Sequence, residues 1–177
     1  TVDEEFCLAP PIILAYVAAI LEQAGHTVML LDARALNLTR EKALEKLRVF
    51  GPDMLGFRAE TYHFHDALEW VRFLKEHLRV PVVTGGINMS LYPRETMSHP
   101  EIDYGVIGDA LDTLQELLRG IESKNDLLKI EGVAFKRDGQ VFMTPASMRI
   151  ADFDAFPFPA RHLLANDKYY SFISQLK

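Results

Sequence analysis

Asp53-Met-Leu-Gly-Phe57 and Val80-Pro-Val-Val-Thr84, with the helical stretch His65 to Leu78 between them, decide the fold. Each outer segment is a short apolar run marked by glycine or proline, of strand length and too brief for a helix. Neither alternates apolar with polar residues, so each is expected to be covered on both faces. That is the pattern of a parallel sheet whose crossover helices bury its two sides. The stripe on the intervening helix, which includes Trp70 and Phe73, reads as core packing.

The same cycle extends in both directions. Toward the amino end, Ile12, Ile13, Tyr16, Val17, Ile20 and Leu21 recur at helical spacing and predict a helix over about residues 10–24, stopped at Ala-Gly-His. Thr27-Val-Met-Leu-Leu-Asp32 follows as a strand-length run, and Thr39 is a candidate N-cap for a helix from Arg40 to Phe50, which Gly51-Pro52 breaks. Toward the carboxyl end come a short helical piece Pro93 to Ser98, a strand Ile102 to Ile107 and a helix Leu111 to Ser123. The fold class is α/β: a flavodoxin-like (Rossmann-like), doubly wound parallel sheet. The chain opens on a helix where this architecture opens on a central strand, so the first strand is expected upstream of Thr1.

After the last helix the period changes. Ile130 to Lys136 and Gln140 to Thr144 flank Arg137-Asp-Gly139, and Asp-Gly between two β-type runs predicts a hairpin at the sheet edge or beside the main domain. Ala151-Asp-Phe-Asp-Ala-Phe-Pro-Phe-Pro-Ala160 has no regular period and reads as an extended connector that docks its aromatic side chains. The expected organisation is an α/β domain over residues 1–125, a hairpin extension of it over 126–150 and a connector over 151–177.

With 177 residues, 49% of them hydrophobic, the chain is long enough for one domain with a substantial core. A net charge of −6 with no basic cluster argues against nucleic acid as a partner. The most apolar stretch, Leu8 to Leu21, contains Pro10 and Pro11 and falls short of the roughly 20 residues a membrane span needs. A cytoplasmic protein is expected. The single cysteine, Cys7, rules out an internal disulfide and any multi-cysteine metal or iron-sulfur motif within these residues. With apolar neighbours Phe6 and Leu8, it reads as a buried thiol rather than a reactive one.

In an open α/β sheet, ligands bind outside the carboxyl ends of the strands. After the strand ending at Phe57 comes Arg58-Ala-Glu-Thr-Tyr-His-Phe-His65; after Thr84 comes Gly85-Gly-Ile-Asn-Met-Ser90; after Ile107 comes Gly108-Asp-Ala-Leu-Asp112. These loops carry small or polar residues where backbone can approach a ligand closely. Each also has a structural reading: Gly85-Gly86 as a turn, Gly108-Asp109 as a helix start, Thr61 to His63 as a cap on the next helix. His63, His65 and Asp66 do not read as a metal site, because residues two apart share a face only on a strand and a helix is starting there. His26, His77, His99 and His162 are scattered. No nucleophile, base and orienting group can be assembled, and no dinucleotide, P-loop or nucleophile-elbow motif is present. No catalytic residue and no metal ligand is assigned.

Taken in order, Ala9-Pro-Pro-Ile-Ile-Leu-Ala-Tyr-Val-Ala-Ala-Ile-Leu-Glu-Gln-Ala-Gly-His-Thr-Val28, Gly51-Pro-Asp-Met-Leu-Gly-Phe57, Val80-Pro-Val-Val-Thr-Gly-Gly86, Ile102-Asp-Tyr-Gly-Val-Ile-Gly-Asp109 and Phe153-Asp-Ala-Phe-Pro-Phe-Pro-Ala-Arg161 resemble the N-terminal cobalamin-binding domain of cobalamin-dependent radical S-adenosylmethionine (SAM) methyltransferases and cyclases. The resemblance covers about residues 9–170. It implies a corrin lying flat over the carboxyl edge of the sheet, with Thr61, Tyr62, Gly85, Gly86, Asn88, Gly108 and Asp109 as its contacts. The sequence departs from the family at Asn88, where a histidine is usual, and at Gly108-Asp-Ala-Leu111, where a Gly-Glu-Gly-Glu run is usual.

No Asp-x-His-x-x-Gly is present, so the expected cofactor is base-off cobalamin without a histidine from that motif. The resemblance also implies a partner: a radical SAM catalytic domain in the same parent chain, with SAM and a 4Fe-4S cluster. The cluster motif Cys-x-x-x-Cys-x-x-Cys, expected soon after Tyr170, does not occur before Lys177, so these residues alone are not expected to be catalytic. The rival reading is a degenerate cobalamin-like or flavodoxin-like interaction or signalling module that binds no cofactor.

Overall fold

The computed structural model describes residues 7–108, 111–147 and 153–171, with the side chains of Cys7, Phe153 and Ser171 left out. Cys7's expected burial and the Asp109 contact therefore lie outside what is described. The chain divides into two compact units, one from the residues up to Glu45 together with those from Phe153 onward, the other from Lys46 to Asp152.

The second unit is built on a five-stranded sheet of order β2-β3-β4-β5-β6, with β2 at Leu55–Arg58, β3 at Val82–Gly85, β4 at Tyr104–Val106, β5 at Val133–Arg137 and β6 at Gln140–Met143. β2, β3 and β4 run parallel, in register Leu55↔Val82 through Arg58↔Gly85 and Val83↔Tyr104, Thr84↔Gly105. α3 (Phe64–Leu78) connects the first pair; α4 (Ile87–Leu91) and α5 (Pro93–Ser98) connect the second. α6 (Leu111–Glu122) then leads to β5, which is antiparallel to β4, and Asp138-Gly139 turns the chain into β6, antiparallel again. The sheet is therefore mixed rather than wholly parallel. The Asp-Gly hairpin that breaks the parallel order joins the sheet edge.

Burial explains why these residues form these elements. On α3 the buried positions Phe64, Leu68 and Val71 are spaced four and three apart, one face of a helix. On β3, Val82, Val83 and Thr84 are all buried, the double coverage that the apolar run implied. One face of the sheet packs Ala59, Phe64, Leu68, Met89, Met97, Ile102 and Ala134. The other packs Val83, Val106, Leu117, Leu127, Val133 and Phe135. Each large apolar side chain removed from water in these layers contributes about 1.5–3 kcal/mol.

In the first unit, β1 (Cys7–Leu8) pairs antiparallel with β7 (Tyr170–Ser171), and α1 spans Ile12–Gln23. Ala18 and Ala19 of α1 pack against Ala160, with Val28, Leu30 and Leu163 beside them, and the Ala160 N–H donates to the Ala15 carbonyl at 2.9 Å. The connector thus docks in part through the small Ala160 and the aliphatic Leu163. Phe158, expected to dock, is 95% exposed, because Pro157 and Pro159 hold the chain extended there and the neighbouring Ala160 makes the close contact. Thr27–Asp32, expected as a strand, has no strand partner among the described residues. Thr39 caps α2 (Arg40–Phe50) as expected: its carbonyl accepts from the Ala43 N–H at 3.0 Å and its Oγ1 from the Lys42 N–H at 3.4 Å. Among the described residues no helix is long and apolar enough to cross a membrane.

Candidate functional site

Because β2, β3 and β4 are parallel, their carboxyl ends, Arg58, Gly85 and Val106, fall on one edge of the sheet. Three successive loops leave from that edge, and six of the seven candidate residues sit on them, all within the second unit. Thr61 and Tyr62 form a 3₁₀ turn with His63 directly before α3; both are exposed, Tyr62 at 80%, with its ring 4.2 Å from that of His63. A phenol ring left so open costs apolar hydration and marks a surface available for contact.

Gly85 ends β3 and pairs with Arg58. Gly86 follows with φ +99° and ψ −172°, a backbone conformation that is essentially confined to glycine. It is also crowded: a Cβ there would stand 2.8 Å from Arg58 Cγ and 3.4 Å from the Ala59 carbonyl. The Arg58 stem therefore lies across Gly86, while its guanidinium pairs with Glu60 at 2.5 Å. Gly108, after β4, has φ +83°, is exposed, and has nothing within 4 Å of the position a Cβ would take. Among the described residues, protein packing does not fill that side of the loop, which leaves room for a ligand.

Asn88 differs from the rest. It is 6% exposed, and its amide nitrogen donates 2.9 Å to Oγ1 of the fully buried Thr96, bracing α4 against α5. The described structure thus brings Thr61, Tyr62, Gly85, Gly86 and Gly108 to one open edge and turns the Asn88 donor inward.

Two residues on this edge were missed by reading the sequence. Arg58 stood at a strand end in a stretch read for its polar loop. Ser90 lay at the end of a segment read as a glycine loop but folded as α4. Its hydroxyl accepts from the Gly108 N–H at 2.9 Å and donates to the Gly86 carbonyl at 3.1 Å, joining the second and third loops. Around it, Ile87, Leu91 and Tyr92 of the α4 region are exposed, so the edge combines uncovered apolar side chains with accessible backbone. That surface can take a ligand with a broad face: the open backbone at Gly108 lets it approach closely, and the exposed side chains give it apolar contact.

The opposite edge of the sheet, at the start of β4, is charged. Arg72 Nε lies 2.5 Å from Glu101 Oε1, and Lys75 Nζ reaches both the Glu101 carbonyl at 3.0 Å and Asp103 Oδ2 at 2.5 Å. Burial works to raise the Glu101 carboxyl, but the hydrogen bond from Arg72, a backbone hydrogen bond, and the charges of Arg72 and His99 outweigh it and hold the group below its ordinary value. In the first unit, a cavity of about 210 Å³ is lined by Leu30, Asp32, Leu36, Leu163, Leu164, Ala165 and Tyr169. There Tyr169 donates to Asp32 Oδ2 at 3.1 Å, and burial, then the Asp32 charge, push the phenol up to about 12.

Residues 8–118 match the family described as B12 binding domain. The chain is 33% identical over 162 residues to an uncharacterized methyltransferase of Pyrococcus horikoshii, covering 90% of this chain and 35% of that protein. It is 32% identical over 151 residues to an anaerobic magnesium-protoporphyrin IX monomethyl ester cyclase of Synechocystis, covering 83% of this chain and 30% of that one. It spans about a third of the length of these relatives.

Among solved structures, it resembles the radical SAM methyltransferase TsrM of Kitasatospora setae with cobalamin and a [4Fe-4S] cluster bound, at TM-score 0.69 and 21% identity over 86% of this chain and 29% of that one. It also resembles the cobalamin-dependent SAM radical enzyme OxsB with aqua-cobalamin and SAM bound, at TM-score 0.70 and 17% identity over 84% of this chain and 21% of that one. At those identities the likeness is one of fold.

Proposed function

The chain belongs to the B12 binding domain family, and from that premise we propose that it holds base-off cobalamin against the carboxyl edge of β2, β3 and β4 as one part of a radical SAM enzyme. The observation that supports this most is the arrangement of the three strand-end loops, with open backbone at Gly108, a glycine-only conformation at Gly86 and the exposed Tyr62 ring on one edge. Thr61, Tyr62, Gly85, Gly86, Asn88, Gly108 and Asp109 are the proposed contacts. Asn88 contributes chiefly by bracing α4 through Thr96, which sets where Gly86 and Ile87 stand.

When bound, cobalamin supplies one-carbon or radical chemistry at its cobalt. This chain's own residues bind and orient it. The glycine loops admit the ring edge, and the amide and carbonyl groups they expose are suited to hydrogen bonds with its side-chain amides. The sequence contains no Asp-x-His-x-x-Gly, so no histidine from that motif is available as an axial ligand, in keeping with a base-off state. In the parent enzyme we assign the catalytic domain a SAM-binding [4Fe-4S] cluster and methyl transfer or cyclisation at an unactivated carbon, in line with the names of the relatives.

Titration of the 177-residue chain with hydroxocobalamin, followed by visible absorption and calorimetry, tests the reading. Saturable binding with a base-off spectrum, weakened in Gly86→Val, is expected. Absence of binding, or a spectrum of histidine-ligated cobalt, would refute it.

A further inference from the structure

We propose that Ser90 is the positioning residue that locks the β3 and β4 loops into a single cobalamin-binding edge. The inference rests on the cobalamin reading above and adds to it a residue that is not among the proposed contacts.

Ser90 sits four residues after Gly86, and a serine on a helix commonly returns its hydroxyl hydrogen to the carbonyl four residues back. Here the Ser90 hydroxyl does so, donating to the Gly86 carbonyl at 3.1 Å. That bond alone would be local. Its lone pair, however, accepts the Gly108 N–H at 2.9 Å, from a loop 18 residues further along the chain. One hydroxyl thus spends both its donor and its acceptor capacity on the backbones of two different loops.

The two backbones it joins are the ones least able to hold themselves. Gly86 and Gly108 have positive φ, +99° and +83°, and neither has a side chain with which to anchor its loop. Nothing surrounds Gly108 within 4 Å of a Cβ position, so its conformation is not dictated by packing on that side. The Gly86 carbonyl also accepts the Ser90 N–H at 3.1 Å, so α4 carries the serine as a rigid arm from one loop to the other. A binder that must order its own loops on contact loses affinity by the cost of that ordering; a link that fixes them beforehand removes it.

Only a side chain of this length with a hydroxyl completes the relay. Alanine offers neither donor nor acceptor, whereas threonine keeps both with one added methyl group. Ser90→Ala and Ser90→Thr therefore separate the relay from mere occupancy of the position.

The 177-residue chain and both variants are titrated with hydroxocobalamin, and exchange of the Gly108 amide proton is followed by NMR without cobalamin. The expected result is about tenfold weaker binding in Ser90→Ala, the scale of the lost hydrogen bond from the Gly108 N–H that joins the two loops, with faster Gly108 exchange, unchanged circular dichroism, and recovery of both in Ser90→Thr. If the unaltered chain binds and Ser90→Ala binds within twofold of it, or if Ser90→Thr is as weak as Ser90→Ala, the role assigned to Ser90 is overturned while the cobalamin reading stands. If the unaltered chain binds no hydroxocobalamin, both fall together.

Discussion

Gly86→Ala puts a Cβ where both the backbone conformation and a neighbouring side chain stand against one. The backbone at φ +99°, ψ −172° lies in a region that a non-glycine residue enters at a cost of about 1–3 kcal/mol. The new carbon would also stand 2.8 Å from Arg58 Cγ and 3.4 Å from the Ala59 carbonyl, so the arginine stem has to move by a few tenths of an ångström or more. That stem is half exposed and flexible, so its displacement adds less than the backbone does. The sum is a destabilisation of roughly 2–3 kcal/mol.

Gly108→Ala is the matched control: φ is +83°, but nothing lies within 4 Å of its Cβ, so only the backbone cost of about 1–2 kcal/mol applies. Trp70, the only tryptophan, sits on α3 in the same unit as both glycines, and its fluorescence reports unfolding of that unit. In urea, with a slope of about 1–3 kcal/mol per M, Gly86→Ala should lower the midpoint by about 1–2 M and Gly108→Ala by less. A Gly86→Ala midpoint within about 0.3 M of the parent would refute the reasoning, since it would mean that neither the conformation nor the contact with Arg58 constrains this loop.

Asn88→Ala removes the donor to the fully buried Thr96 hydroxyl and should destabilise the same unit by about 1–3 kcal/mol in the Trp70 assay, a loss expected even in the absence of cobalamin. Glu101 gives a pH dependence. Its folded carboxyl lies below the ordinary value of 4.5, so its stabilisation is complete above that value and is lost as pH falls through the lowered one. In Arg72→Met the hydrogen bond and charge that lower it are gone while burial remains, so the acid-unfolding midpoint should move to higher pH. An unchanged midpoint would show that Arg72 does not hold Glu101 ionised.

What the sequence disclosed follows from how each feature is encoded. Val82, Val83 and Thr84 reveal a doubly covered strand because burial on two faces demands an unbroken apolar run, and Asp138-Gly139 reveals its hairpin because few dipeptides make so tight a turn. Thr27–Asp32 has the same apolar character as β3, yet among the described residues no backbone pairs with it, and pairing is something a side-chain pattern does not report. At the site, the loops were legible because glycine and polar residues after parallel strands point to an edge where ligands bind. The Ser90 relay was not, since its partner lies 18 residues away and no local pattern signals a hydroxyl that serves two loops. Asn88 was legible as a departure from a family pattern, whereas its inward hydrogen bond to Thr96 required the α4–α5 corner to be seen.

The charged end of the sheet bears on the open one. Asp103 accepts from the Val82 N–H at 2.7 Å and from Lys75 Nζ at 2.5 Å, so a single carboxylate ties the start of β3, the approach to β4 and the end of α3. Lys136 of β5 donates to the His99 carbonyl and, through its backbone N–H, to the Asp103 carbonyl at 3.1 Å, adding the antiparallel strand to the same knot. β3 and β4 are only four and three residues long, about 10–13 Å of extended chain, too short to bend appreciably between their ends. Fixing where they begin therefore fixes where Gly85 and Gly108 emerge. The carboxyl edge can then leave Gly108 open to a ligand, because the register of the strands beneath is held at the other end and the Ser90 hydroxyl joins the loops above.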